Sequence, residues 1–285
     1  MNNISSIFTE YMFIAMETAI DASALIIKMY KKDVQITQKN DFSPVTEADL
    51  ASSTLIKMKL AQTQIPIIDE ETQVIDYSIR KNWSKVWSVD PLDGTKEFIA
   101  QNDHFSVNIA LIEHQEAVFG LIADPVQQKM IVGGKKYGVF EFNFSDFANL
   151  SNWKRITEPN LDLKYWTIAI SQSHHSEKEV QFLKYFKDKY SSEIELKKKG
   201  SALKFFDMLH HEVQLYPRFA TTMEWDIAAG QAILEGIGGL VLETNTQQKL
   251  KYNKPLMYNP NFIAFHPLFL NHFQTFNWHE QNFFN

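Results

Sequence analysis

Eleven residues, Val89-Asp90-Pro91-Leu92-Asp93-Gly94-Thr95-Lys96-Glu97-Phe98-Ile99, constrain this chain more than any other stretch. Ahead of them, Lys85-Val86-Trp87-Ser88-Val89 is rich in β-branched and aromatic residues and reads as a buried strand. Proline lacks a ladder donor and fixes its own φ, so the strand is expected to end at Asp90. Gly94 permits a turn that a side chain would hinder and lets its amide approach a ligand closely. Asp90 and Asp93 are thereby delivered at a strand's end, where open α/β sheets collect ligands. Asp-Pro and Asp-Gly are also ordinary turn dipeptides, so the stretch needs support from elsewhere in the chain. Phosphatases that form an aspartyl-phosphate space their two aspartates by one residue. Here two residues intervene, one of them proline, which suits oxygen ligands converging on hard cations better.

That support comes from other acids. Ile65-Pro66-Ile67-Ile68 is a short apolar run that empties into Asp69-Glu70-Glu71, a second strand with an acidic tip. Thr46 is placed to cap a helix running through Leu50–Met58, with Asp49 in its first turn. Asp49 alone needs no more explanation than the helix dipole, and the acidic run alone would pass as a solvated loop. Asp226 opens a further helix, Asp226–Leu234, which Gly236, Gly238 and Gly239 bring to an end. If Asp49, Glu70, Asp90, Asp93 and Asp226 converge, they cannot all stay ionised without cations between them. With no cysteine in the chain, an oxygen-only ligand set points to Mg²⁺ rather than zinc. Phosphate ester hydrolysis is the natural use of such a site.

The remaining pattern divides the chain in two. Residues 6–31 carry an apolar stripe of helical period, followed after Asp90–Ile99 by a meander: Phe105–Ile112, Ala117–Ile122, Met130–Val132 and Tyr137–Phe140. The polar stretch 143–163 is the best boundary, giving halves 1–160 and 161–285. Beyond it strands and helices alternate: strand 165–170, helix 177–189, strand 194–196, helix 201–210, strand 213–216, helix 226–234, strand 240–242. The tail from Pro255 onward is aromatic and Asn-rich and yields no assignment. A net charge of −6 provides no field for a nucleic-acid polymer. Glu10, Glu17 and Asp21 interrupt the apolar N-terminal stretch, against a spanning helix. Absence of cysteine and of a signal sequence fits the cytoplasm, with peripheral attachment to the inner membrane left open.

Four segments, Pro44-Val45-Thr46-Glu47-Ala48-Asp49, Glu70-Glu71, Asp90-Pro91-Leu92-Asp93-Gly94-Thr95 and Trp225-Asp226-Ile227-Ala228-Ala229-Gly230, together resemble the lithium-sensitive, Mg²⁺-dependent inositol monophosphatase-like phosphatases. Thr95-Lys96-Glu97-Phe98-Ile99 and Leu215-Tyr216-Pro217-Arg218-Phe219 are most similar to the CysQ-type 3′(2′),5′-bisphosphate nucleotidases, which act on a by-product of sulfate assimilation. The resemblance implies an α/β (α+β) fold, a layered αβαβα sandwich. It implies a hydrolase that removes the 3′-phosphate of adenosine 3′,5′-bisphosphate, and of its sulfated form. It assigns Glu70, Asp90 and the carbonyl of Leu92 to one Mg²⁺, and Asp90, Asp93 and Asp226 to a second, with Glu70 anchoring a third, weaker ion. Thr95 and Asp49 would orient and deprotonate the attacking water, and the amides of Gly94 and Thr95 would grip the phosphate. Ser171 and His174, with Ser201 and Lys204, would surround the nucleoside and its other phosphate; Arg218 is left between a phosphate and an acidic partner. Where relatives carry glycine or serine before the two glutamates, this chain has Asp69, facing either the metals or solvent. The same metal core would serve an inositol monophosphatase or a fructose-1,6-bisphosphatase, and the same scaffold a non-catalytic metal or nucleotide sensor. The oligomeric state is open, a homodimer included.

Overall fold

The computed structural model describes residues 6–30, 36–38, 44–157, 165–172, 176–190 and 194–273. Helix α1 (Glu10–Tyr30) buries Met12, Ala15, Met16, Ala19, Ala22 and Ile26, a stripe at three- and four-residue spacing. A two-stranded ribbon, β1 (Ile36–Gln38) and β2 (Pro44–Thr46), leads into α2 (Glu47–Leu60). Both helices cover one face of a seven-stranded sheet. Its strands are β3 (Ile67–Asp69), β4 (Lys85–Asp93), β5 (Ser106–Glu113), β6 (Glu116–Asp124), β7 (Lys129–Gly134), β8 (Gly138–Asn143) and β9 (Lys154–Ile156), in that spatial order. Only β3 and β4 are parallel; the crossover between them includes the short helix α3 (Tyr77–Arg80). Strand β9 lies within the polar stretch 143–163 and extends the first sheet by pairing with β8.

The second sheet has the order β11-β10-β12-β14-β13, from β10 (Trp166–Ser171), β11 (Ile194–Lys199), β12 (Leu215–Arg218), β13 (Leu240–Glu243) and β14 (Phe262–Phe265). Helices α5 (Glu177–Tyr190), α6 (Leu203–Leu209) and α7 (Glu224–Gly236) connect its strands, α8 (Pro267–Phe273) follows β14, and α4 (Thr95–Ile99) follows β4. Alternation along the strands assigns the layers. Trp87, Val89, Ile109 and Leu111 face α1 and α2, whereas Val86, Ala110 and Ile112 face α6 and α7. Tyr216 and Ala264 face the same α6–α7 layer from the other sheet, and Leu215, Ile263 and Phe265 pack outward on Phe182 and Phe186 of α5 and Phe269 of α8. The result is α–β–α–β–α, the layered sandwich expected. Helix α7 is the shared centre: Gly120 of β6 lies so close that an added Cβ would sit 2.3 Å from the Ala229 carbonyl oxygen.

Two expectations need correction. Strand β4 does not stop at Asp90 but runs on to Asp93, because its register on β5 shifts between Asp90, opposite Asn108, and Asp93, opposite Ser106. The extra residue is a bulge, where Pro91 has no ladder bond to miss. The tail does have a place: β14 pairs with both β12 and β13, inside the second sheet. No helix among the described residues is long and apolar enough to cross a membrane.

Candidate active site

Thr46 ends β2 in extended conformation and caps α2 by reciprocal bonds: its hydroxyl accepts from the Ala48 amide at 3.2 Å, and its own amide donates to Asp49 Oδ2 at 2.8 Å. The Thr46 hydroxyl donates to the same oxygen at 2.5 Å. This fixes Asp49 so that Oδ1 faces α4, where it accepts the Thr95 hydroxyl at 2.8 Å. Asp49 is 1 % exposed, and burial raises its pKa against the pull of the Thr46 and Thr95 hydrogen bonds. Thr95 is placed by Gly94, whose φ of +95° puts it in left-handed space and where an added Cβ would lie 2.9 Å from the His104 carbonyl oxygen.

Glu70, Asp90 and Asp226 each bring one carboxylate oxygen to within 4.8 Å of the others. They come from the tip of β3, the bulge of β4 and the first turn of α7, three elements that only the tertiary fold brings together. Burial and then the field of Glu70, Asp93 and Asp226 hold the Asp90 carboxyl well above the usual carboxylate range. Asp226 is raised in the same sense, by burial and then by Asp93 and Glu70. One of its oxygens accepts the Met223 amide at 2.8 Å. Asp93 stands beside the trio, with Oδ2 accepting from Asn108 Nδ2 at 3.0 Å and from the Ala202 amide at 2.5 Å. Burial pushes its pKa to about 6, with Lys204 opposing the rise. Leu92 is buried, and its carbonyl lies 3.5 Å from the Thr95 hydroxyl.

Asp69 does not face solvent. It is buried against α2, where Oδ1 accepts the Ser53 hydroxyl and the Glu71 amide, both at 2.9 Å. The residue thus folds the acidic tip back on itself and fixes the direction in which Glu70 leaves the strand.

A cavity of about 540 Å³ opens over these groups. Glu70, Asp93, Thr95 and Asp226 line one side; Ser171, Ser201, Lys204 and Arg218 line another. Ser171 ends β10, and β11 and β12 lie on its two sides, so the cavity meets the second sheet at a topological switch point. Lys204 is buried, donates to the carbonyls of Lys199 and Ser201, and is lowered by burial to about 8. His174 lies outside the described residues. Two further donors border the cavity and went unassigned from sequence: Arg218 Nε and Trp225 Nε1 are buried with no hydrogen-bond partner among the described residues. A buried donor left unsatisfied is costly, so both are suited to a polar ligand. Both lie in segments that carry the family resemblance, which left Arg218 between a phosphate and an acid and gave Trp225 no role.

The profile of the inositol monophosphatase family matches residues 8–275, nearly the whole chain. The chain belongs to the inositol monophosphatase family. Within it, the chain is similar to a 3′(2′),5′-bisphosphate nucleotidase CysQ of Buchnera aphidicola, 34 % identical over 256 residues that span 88 % of this chain and 91 % of the relative. It is 31 % identical to the CysQ nucleotidase of Escherichia coli strain K12, over 89 % of this chain and 96 % of that one. Among family members of known structure, CysQ from Bacteroides thetaiotaomicron superposes with a TM-score of 0.78 at 31 % identity, covering 89 % of this chain and 96 % of that one. A Thermotoga maritima inositol monophosphatase superposes with a TM-score of 0.74 at 19 % identity, covering 93 % and 95 %, a likeness of fold alone.

Proposed function

We propose that this family member is a Mg²⁺-dependent 3′(2′),5′-bisphosphate nucleotidase that hydrolyses the 3′-phosphate of adenosine 3′,5′-bisphosphate. The observation that carries the reading is the gathering of Glu70, Asp90 and Asp226 beside the Asp49–Thr95 pair, in a cavity that also presents Lys204 and Arg218. A metal fits this donor set: buried carboxylates that raise one another's pKa need a cation between them, and all-oxygen donors suit Mg²⁺. Glu70, Asp90 and the Leu92 carbonyl would hold one ion, and Asp90, Asp93 and Asp226 a second, with Glu70 available to a third. Bound there, Mg²⁺ supplies an acidified water and offsets charge on the phosphoryl oxygens.

The chain's own residues do the rest. Because the Thr95 hydroxyl donates to Asp49, its lone pairs remain free to accept a hydrogen bond from an attacking water. Asp49, raised by burial, is the better proton acceptor for it, and the Thr46 bonds hold its other oxygen still. The attack is direct, with no residue of the aspartyl-phosphate spacing to serve as nucleophile. Lys204 and Arg218 supply positive charge for the phosphate that is not cleaved, while Ser171 and Ser201 line the path of the nucleoside. The amides of Gly94 and Thr95, which line the cavity, would hold the reacting phosphate.

Phosphate release from adenosine 3′,5′-bisphosphate, its sulfated form, inositol monophosphate and fructose 1,6-bisphosphate, each with Mg²⁺ and with EDTA, tests the proposal. The expected result is Mg²⁺-dependent turnover, fastest on the nucleotides. Faster turnover of the inositol or fructose phosphate would reassign the substrate, and nucleotide binding without turnover would make the chain a sensor.

A further inference from the structure

The first turn of α7 carries Asp226, and the chain from 253 to 259 is bound across it. Glu224, 1 % exposed, accepts the amides of Asn253 at 2.5 Å and Lys254 at 3.0 Å, and Lys254 Nζ at 2.6 Å. Further along, the Glu224 amide donates to the Met257 carbonyl, and the Asn259 side chain donates to the Met223 carbonyl at 2.6 Å. This strap is in turn locked to the other side of the site. Arg80, 2 % exposed, sits in the β3–β4 crossover that begins with Glu70, and its guanidinium donates to Asn253 Oδ1 at 2.8 Å, the Pro255 carbonyl at 3.0 Å and the Ile75 carbonyl at 2.9 Å. The Asn253 amide group returns a bond to the Arg80 carbonyl at 2.8 Å, closing a ring between residues 173 positions apart.

We infer that Arg80, through Asn253 and Glu224, is a positioning residue that sets the separation between Glu70 and Asp226 and with it the cation affinity of the site. Three observations favour this over a purely structural tie. Arg80, Asn253 and Glu224 are all buried and bound to one another's segments through side chain and backbone, so this part of the network has one arrangement and little slack. It joins the two segments that carry Glu70 and Asp226, whose oxygens lie within 4.8 Å of each other. Its fork geometry is specific to arginine: Nε and the two terminal nitrogens each reach a different acceptor, a spread that the single nitrogen of a lysine does not span. The inference rests on the metal site proposed above.

The test is Mn²⁺ binding to the substrate-free protein, followed by electron paramagnetic resonance, alongside the melting temperature in EDTA. Wild type should bind Mn²⁺; if it does not, the metal-site reading itself fails, whatever the variants do. Arg80→Met should weaken Mn²⁺ affinity at least fivefold. Arg80→Lys, which keeps the charge and the buried stem, should fold and weaken it by a smaller factor. Removing the Lys254 side-chain bond alone, in Lys254→Met, should leave affinity within twofold, because both backbone amides still hold Glu224. Melting temperatures that fall in either Arg80 variant while Mn²⁺ affinity stays at the wild-type value would overturn the inference and leave Arg80 a stabilising residue only.

Discussion

The seat of α7 on the first sheet gives the sharpest test of how packing places the site. At Gly120 an added Cβ would lie 2.3 Å from the Ala229 carbonyl oxygen, 2.8 Å from its Cα and 2.9 Å from its carbonyl carbon. All three are backbone atoms, so no side-chain rotation relieves the clash in Gly120→Ala. Restoring ordinary contact at about 3.4 Å requires α7 and β6 to separate by about 1 Å. Overpacking of this kind costs typically about 1–3 kcal/mol. For a chain of this size each kcal/mol lowers the melting temperature by roughly 2–4 °C, so a fall of several degrees is expected in EDTA. The functional effect is separate. Asp226 stands three residues before Ala229 on the same helix, so a shift of about 1 Å carries its carboxylate away from Glu70 and Asp90. Mn²⁺ affinity and turnover should therefore fall together, turnover by roughly 10²-fold. Calorimetry in EDTA and Mn²⁺ titration of the same preparation read the two effects independently. A Gly120→Ala protein with unaltered melting temperature would refute the packing argument. One that melts early yet binds Mn²⁺ and turns over normally would show that α7 does not fix Asp226.

Asp90→Asn should abolish Mg²⁺-dependent turnover by at least roughly 10²-fold, yet raise the melting temperature in EDTA, because it removes one of the buried like charges; circular dichroism and activity on one sample check both. Thr95→Val and Asp49→Asn should each lower kcat by roughly 10²–10⁴-fold with little change in melting temperature, and the double variant should be no worse than the poorer single one, as expected of residues acting through one bond. Stability should also depend on His266, which is buried and held at about 3 by burial and by His211. Its Nδ1 accepts the Leu268 amide at 3.2 Å, so Nε2 carries the hydrogen and faces His211 Nδ1 at 2.9 Å; a second proton has no acceptor. The unfolded chain takes up that proton near pH 6.5 and the folded one only near 3, so stability present above 6.5 is lost as pH falls through this window. At pH 5 the loss is about 2 kcal/mol, and His266→Asn, which can still accept from Leu268, should remove that amount from the difference between urea unfolding at pH 7 and pH 5.

What could be read from the sequence followed the strength of the periodic signal. Helix α1 has a one-sided apolar stripe, and β5 and β6 are apolar runs of strand length parted by His114-Gln115, which leaves little choice of element. Thr46 and Asp49 form a capping pair by spacing alone, and the same geometry is what turns Asp49 toward Thr95. Strand β14 escaped notice because it is short and lies between loop-like residues. Phe262-Ile263-Ala264-Phe265 is apolar on both faces and is bracketed by Asn259-Pro260-Asn261 and His266-Pro267, which read as loop. The continuation of β4 past Pro91 depends on a bulge, which the facing strand determines and the local sequence does not. Arg80 was illegible, and Arg218 stayed undecided between a phosphate and an acid, because a single arginine takes its meaning from a cavity or from a partner far along the chain.

These residues together explain how a set of mutually repelling acids can be held at a fixed spacing. Like charge drives the carboxylates of Glu70, Asp90 and Asp226 apart, so their spacing is imposed from outside the trio. Each is imposed by a different kind of contact. Glu70 leaves β3 in a turn that Asp69 fixes against Ser53 of α2. Asp90 is aimed by the bulge, and its Oδ1 accepts the Leu92 amide at 3.1 Å. Asp226 rides on a helix pressed to Gly120 on one side, with the ring of Phe205 against Gly230 and the 253–259 strap across its first turn. Relaxing any one of these supports lets the acids move apart and lowers their repulsion. The tight packing around the trio is therefore in direct competition with its electrostatics, and a bound cation is what brings the two into agreement.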